Sequence, residues 1–231
     1  MNDVADTGPM GPPPARSRAR TSVLITGFGP FPGVPVNATM RLVPELAFAA
    51  RRLHPDLRIT SEILPTEWGV APQRLGVLLG EIAPDLALHF GVSSRARGFE
   101  IERRACNVNT GLPDAAGQMP AGQAIRAGGA EFISASLPVA HLVERLRQRG
   151  IPAFASRDAG TYLCNSLLYH TLAAAPPGRR AGFIHLPVAL AQPGKPSRGR
   201  SGAPTLTWEQ ALEGGLEILA ACLGRVPPRR V

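Results

Sequence analysis

A three-layer α/β/α sandwich around a mostly parallel, mixed sheet is the fold that this 231-residue sequence predicts. Three observations carry the prediction. Short apolar runs of strand length alternate with segments whose apolar residues recur at helical spacing. Hydrophobic residues make up 44% of the chain, enough for one substantial core at this length. No apolar run reaches the roughly 18 residues needed to cross a bilayer, so these runs are expected to pack on one another and no membrane partner is expected.

Ser22–Thr26 opens the alternation as a strand, and Ala38–Leu53 follows as a helix. Leu57–Leu64 is the second strand and Ala71–Ile82 the second helix. Leu86–Phe90 is a third strand, ended by Gly91, and Phe99–Val108 alternates more weakly, as a strand or extended segment. In Pro138–Arg149, Val139, Leu142, Val143 and Leu146 lie at i, i+3, i+4 and i+7, one face of an amphipathic helix closed by Gly150. Ile151–Ala155 is the next strand, Tyr162–Ala174 a helix and Ala181–Leu186 the last strand. Thr207 and Gln210 have capping-box spacing ahead of a final helix with Leu212, Leu216, Leu219 and Leu223 on one stripe. Gly111–Gly129, rich in Gly, Ala and Pro, reads as a long loop, and Ala191–Thr205 as another.

Residues 1–21, rich in Pro, Gly and Arg and without an apolar stretch, read as a disordered extension rather than a secretory leader. Residues 22–224 then form a single domain and 225–231 a basic tail. The net charge of +8 is concentrated, with +5 of it in residues 179–231, and 24 of the 25 basic residues are arginine. Few aromatics interleave with those arginines. The charge therefore supports only non-specific attraction, and nucleic acid is not expected as a partner. Three cysteines, Cys106, Cys164 and Cys222, make no disulfide framework and no C-x-x-C pair, which suits a reducing, cytoplasmic setting. No histidine cluster offers a home for zinc, so no metal is expected.

Cys164 opens a helix just after the turn Ala159-Gly160-Thr161, and His185 ends a short apolar strand. Backbone N–H groups at a helix start favour thiolate, and an imidazole within reach completes a nucleophile–base pair. Against this, most free cysteines are simply small buried hydrophobes, which is the reading given to Cys106 and Cys222. A lone strand histidine is likewise more often a satisfied core residue. His170 lies around the helix from Cys164, His54 and His141 read as solvent-facing, and His89 has at most a supporting place near the site. A carboxylate that orients the imidazole would help the pair. Glu102 near a strand end is one candidate, beside Asp114 and Asp158. After the first strand, Gly27-Phe28-Gly29-Pro30-Phe31 does not fit the dinucleotide pattern, because its glycines are misplaced and its prolines obstruct a phosphate-binding helix. Two phenylalanines on a stiff loop suggest walls of a small apolar pocket, or equally a plug beneath the loop.

Four motifs in order resemble those of the pyroglutamyl peptidase I family of cysteine peptidases, from about Val23 to about Leu223. Thr26-Gly27-Phe28-Gly29-Pro30-Phe31 with Val36-Asn37-Ala38-Thr39 is similar to the opening motif. Glu102-Arg103 followed by Ala105-Cys106-Asn107 resembles the glutamate motif, Ser156 to Asn165 the cysteine motif, and Gly182 to Pro187 the histidine motif. The resemblance implies a Cys164–His185–Glu102 triad that removes an N-terminal pyroglutamyl residue from peptides through a thioester, without a cofactor. It implies that Phe28 and Phe31 enclose the lactam ring, that Asn37, Gly91 and Val92 belong to substrate binding, and that the chain forms a homo-tetramer. Val92 stands where many bacterial members carry glutamine. The loop Asn109–Asp114 is shorter than the family's and lacks its arginine. A hydrolase of another small amide or lactam, or an inactive small-molecule-binding relative, is the alternative.

Overall fold

The computed structural model describes residues 20–190 and 206–225. The extension assigned to 1–21 therefore lies outside the described residues except for Arg20 and Thr21, as does the loop at 191–205. The core strands are β1 (Ser22–Phe28), β2 (Arg58–Leu64), β3 (Leu86–Ser93), β4 (Phe99–Glu102), β7 (Ala153–Ser156) and β8 (Arg180–Pro187), in the sheet order β2-β1-β3-β8-β4-β7. A separate hairpin-like pair joins β5 (Arg104–Cys106) to β6 (Phe132–Ser134). The described residues also form five helices: α1 (Thr39–Leu53), α2 (Val70–Ile82), α3 (Val139–Gln148), α4 (Leu163–Ala174) and α5 (Trp208–Cys222).

Four strands, β2, β1, β3 and β8, run parallel, while β4 lies antiparallel to β8 and parallel to β7. The reversal has a simple cause. Parallel return to a sheet needs a crossover of a dozen residues or more, and only five residues separate β3 from β4. The segment read as one weak strand over Phe99–Val108 is thus two short strands in two different sheets, and β6 had no counterpart in the expected elements. β3 runs past Gly91 to Ser93 because β8 pairs with it along that whole length, Gly91 opposite His185.

Strand alternation divides the core into two layers. Val23 and Ile25 of β1 face one layer with α1, α3 and α5, and Leu24 and Phe28 face the other with α2 and α4. The capping box forms as expected, with Gln210 N donating to Thr207 Oγ1 at 3.1 Å and Thr207 N to Gln210 Oε1 at 3.0 Å. Inside the first layer Glu217 of α5 is buried, and it is ion-paired with Arg145 at 2.5 Å and Arg149 at 2.8 Å of α3. Cys222 packs there too, and burial pushes its thiol pKa up to about 12.

One expectation needs correction, and one long-range contact accompanies it. His54, read as solvent-facing, caps the end of α1 in a buried position, and burial lowers its pKa. Arg225, assigned to the tail, is tied to the domain by Asp56, whose Oδ1 accepts from its Nη1 at 2.9 Å. Both follow from the turn after α1 meeting Arg225 just beyond α5, a contact about 170 residues apart in sequence that local pattern does not report.

His89 of β3 is fully buried between β1 and α4. Thr171 Oγ1 donates to Leu167 O, so it accepts from His89 Nε2 at 2.9 Å. That leaves Nδ1 to accept the Thr26 hydroxyl at 2.7 Å. The ring is a neutral cross-link, and burial pushes its pKa down to about 3. Because the folded pKa is depressed, the folded state refuses a proton that the unfolded chain accepts below its ordinary 6.5. His89 should therefore subtract about 2 kcal/mol of stability between pH 7 and pH 5. Urea unfolding at the two pH values should show a shallower pH dependence in His89→Gln than in the wild type. Equal dependence would exclude this assignment.

Candidate active site

The alternation that builds the sheet also decides which side chains meet. In β8, Ile184 and Leu186 enter the α1/α3/α5 layer, so Phe183 and His185 take the opposite face. In β4, Phe99 and Ile101 do the same and leave Glu100 and Glu102 on that second face. Helix α4 packs there, and its second residue is Cys164. Three separate elements thus bring thiol, imidazole and carboxylate together.

His185 Nδ1 lies 2.9 Å from Glu102 Oε1, with Glu102 wholly withdrawn from solvent and His185 nearly so. With Nδ1 donating to Glu102, the hydrogen bond between His185 and Cys164 falls to the other ring nitrogen. Burial by itself would lower the His185 pKa. The Cys164 sulfur and the Glu102 carboxylate outweigh it and hold the imidazole well above its ordinary value. Such an arrangement favours imidazolium beside sulfur. Cys164 is half-buried and opens onto a cavity of about 680 Å³.

The approach to α4 is shaped residue by residue. Ser156 Oγ accepts from Asp158 N at 3.1 Å, and Asp158 Oδ1 accepts from Gly160 N at 3.0 Å. Gly160 then takes φ +76°, a left-handed turn that suits glycine. No side chain caps the helix that follows, so the backbone N–H groups of its first turn and the positive end of its dipole stand beside the sulfur. Asn165, fully buried, clamps this turn to β5 and the residues after it. Its Oδ1 accepts from Cys106 N at 2.9 Å, and its Nδ2 donates to Cys106 O at 2.8 Å and Val108 O at 3.0 Å. From the other side Gly91 comes so close that an added Cβ would stand 2.7 Å from the Phe183 ring and 3.1 Å from Cys164 Sγ.

One end of the cavity is aromatic. Phe31 lies 6.1 Å from Tyr162, Trp68 meets Tyr162 edge-on at 5.0 Å, and Phe28 lies 6.3 Å from Phe183. Burial, then the Asp114 carboxylate and the Cys164 sulfur, push the Tyr162 phenol up to about 12, so it stays neutral. The loop after β5 folds over this end, with Tyr162 Oη donating to Pro113 O at 3.0 Å and Trp68 Nε1 to Leu112 O at 3.0 Å. Asp114 anchors that loop by accepting from the backbone N–H groups of Trp68, Ala116 and Gln118. Burial alone would raise its pKa, but those three bonds lower it.

Of the residues singled out in the sequence, Phe28, Phe31, Asn37, Gly91, Val92, Cys164 and His185 line this one cavity, with Glu102 buried behind His185. Asn37 spends its amide on the loop itself, donating to Gly29 O at 3.1 Å and accepting from Thr39 N at 3.1 Å. Asp114 and Asp158, the other carboxylates weighed, bond backbone amides and do not contact His185 through a hydrogen bond among the described residues. Cys106 is partly buried against Asn165, and burial raises its thiol pKa. Sequence reasoning missed the work of Asn165, Tyr162 and Trp68. Asn165 carried a signal, being the one amide side chain in a helix without Asp, Glu, Lys or Arg. The other two carried none. One ligand atom each from Glu100, Glu102 and His185 lie within 4.8 Å of one another, a spacing that a cation would fit only by competing with the Glu102–His185 bond.

With this geometry in place, comparison with known proteins gives a consistent result. The family model for pyroglutamyl peptidase matches residues 21–223. The chain is 38% identical over 170 residues to the pyrrolidone-carboxylate peptidase of Chromobacterium violaceum, covering 72% of this chain and 77% of that one. Its fold is similar to a mutant pyrrolidone carboxyl peptidase of Pyrococcus furiosus, with TM-score 0.76 and 30% identity over 88% of this chain and 99% of that one. It is also similar to the pyroglutamyl peptidase I of Bacillus amyloliquefaciens, with TM-score 0.73 and 32% identity over 87% and 96%.

Asn165→Ala would strand two carbonyls and one amide in a partly buried site. Chemical denaturation should report a loss on the order of 3 kcal/mol, and iodoacetamide should alkylate Cys164 at a changed rate. A stability within 0.5 kcal/mol of wild type, roughly the scatter of neutral surface changes, would mean that the clamp is not needed.

Proposed function

The chain belongs to the pyroglutamyl peptidase family, and we propose on that premise that it is a cysteine exopeptidase releasing an N-terminal pyroglutamyl residue from peptides. The observation that carries the reading is the buried Glu102–His185 hydrogen bond ending on Cys164 at the mouth of an aromatic cavity. Pyroglutamate is flat and uncharged. Aromatic faces hold such a ring well, and the neutral Tyr162, Phe28 and Phe31 offer no charge that would require a counter-ion.

Cys164 is the proposed nucleophile. Its thiolate attacks the pyroglutamyl carbonyl carbon, and the oxyanion that forms faces the uncapped first turn of α4. The imidazolium of His185 passes its proton to the amide nitrogen as the C–N bond breaks, leaving a thioester on Cys164 and a free peptide amine. Water then attacks the thioester while His185 takes its proton, which releases pyroglutamate and restores the thiolate. Glu102 holds Nδ1–H and stabilises the imidazolium, itself making and breaking no bond to the substrate. Intact Cys164, His185 and Glu102 disfavour an inactive binding relative, while a hydrolase of another small lactam is separable only by substrate.

The finer statements belong to the same proposal. Three free thiols support a cytoplasmic setting. Among the described residues no helix is long and apolar enough to cross a membrane. A homo-tetramer, the independence of 22–224 as one folding unit, and peptides rather than nucleic acid as partners follow from the family resemblance and the charge distribution.

Hydrolysis of a pyroglutamyl chromophoric amide by the purified protein tests the reading, and no release of chromophore would refute it. Cys164→Ala should lower turnover to the detection limit with a near-normal melting temperature. Turnover at the wild-type rate would pass the nucleophile's role to another group. In Glu102→Gln, which retains size but not charge, kcat should fall roughly 10- to 1000-fold while exceeding that of Cys164→Ala. A kcat equal to wild type would remove Glu102 from the triad.

A further inference from the structure

At about 680 Å³ the cavity is larger than a five-membered ring needs, and its lining is aromatic in one part and charged in another. Sheet order lays out its long axis: the Phe28–Phe31 loop follows β1, Gly91 lies in β3, His185 in β8, and Glu100 in β4. Glu100 stands directly opposite His185 in the β4–β8 register. A substrate ring held at the aromatic end places its scissile nitrogen between Cys164 and His185. The chain beyond that nitrogen continues away from the aromatics, over β4.

That far end is charged. Arg95, Glu100 and Asp158 line it, and Arg95 pairs with Asp158 at 3.4 Å. Those two offset each other, and Glu100 is left as the surplus carboxylate, half-buried beside the Glu102–His185–Cys164 line. Its surroundings agree. Burial, with the Glu102 and Asp158 carboxylates, raises the Glu100 pKa above its ordinary value against the pull of His185 and Arg95. A carboxylate in this state gains from a cation brought to it.

We propose that Glu100 sets specificity on the leaving-group side, favouring peptides whose residue after pyroglutamate carries a basic side chain and disfavouring acidic ones. This deepens the reading given above and rests on it. The effect is electrostatic and reaches a partly open site, so added salt weakens it.

The test compares kcat/KM for three substrates, pyroglutamyl-lysine amide, pyroglutamyl-alanine amide and pyroglutamyl-glutamate amide, at pH 8 and low ionic strength. The wild type should prefer the lysyl over the glutamyl substrate by about tenfold. In Glu100→Gln that ratio should fall to about two or below; because it is taken within each protein, any general change in turnover cancels. For the wild type alone, about 0.5 M salt should reduce the ratio by severalfold, a measurement that does not depend on the variant folding. A lysyl-to-glutamyl ratio near one in the wild type, or a ratio unmoved by both Glu100→Gln and salt, would overturn the inference. Failure to hydrolyse even the alanyl substrate would instead refute the peptidase reading itself, and this inference with it.

Discussion

A carboxylate removed entirely from water needs a partner, and the pairing of Glu102 with His185 is the constraint around which this fold is arranged. An unpaired buried carboxylate would be driven to take up a proton. The 2.9 Å hydrogen bond gives it that partner, and the Cys164 sulfur with the Glu102 carboxylate holds the ring's pKa above its ordinary value. Neither residue would be tolerated in its place without the other. The same pairing requires β4 to lie against β8 in a register that puts Glu100 and Glu102 on the face His185 takes.

Placing the sulfur is a separate task, and it is done by polar contacts from both flanks. Asn165 ties the first turn of α4 to β5, and the Asp158–Gly160 turn sets the direction from which that helix starts. Across the site Gly91 lets β3 come into contact with the sulfur and with Phe183. Beneath these, the His89 ring joins β1, β3 and α4 without carrying charge. Like α1, α2 and α3, helix α4 starts without a side-chain cap. Here its free N–H groups lie at the cavity, where a developing negative charge would use them.

Much of this could be read from the sequence, and the boundary has a physical origin. The helices over Pro138–Arg149 and after Thr207 announced themselves through periodicity and a capping box, because those signals are local. So did the helix start at Cys164 and the apolar strand ending in His185. The split of Phe99–Val108 into β4 and β5 did not, since a four-residue and a three-residue strand give too few alternations to fix a sheet or a direction. The choice of Glu102 over Asp114 and Asp158 was equally out of reach for pattern alone, because it depends on which strand lies beside β8. His54 failed for a related reason, as the residues that bury it come from the far end of the domain.

The sequence separations in this fold bear on when the chain acquires its chemistry. Glu102 and His185 are 83 residues apart, and the two threonines that hold His89 are reached across 63 and 82 residues. Contacts of such range form late, after the entropy of closing long loops has been overcome. Until β8 enters between β3 and β4, Cys164 has neither its imidazole nor the enclosed cavity beside it. In a growing or partly folded chain Cys164 therefore stands without its imidazole, and the thiol–imidazole pair comes into being only with the last strand of the sheet.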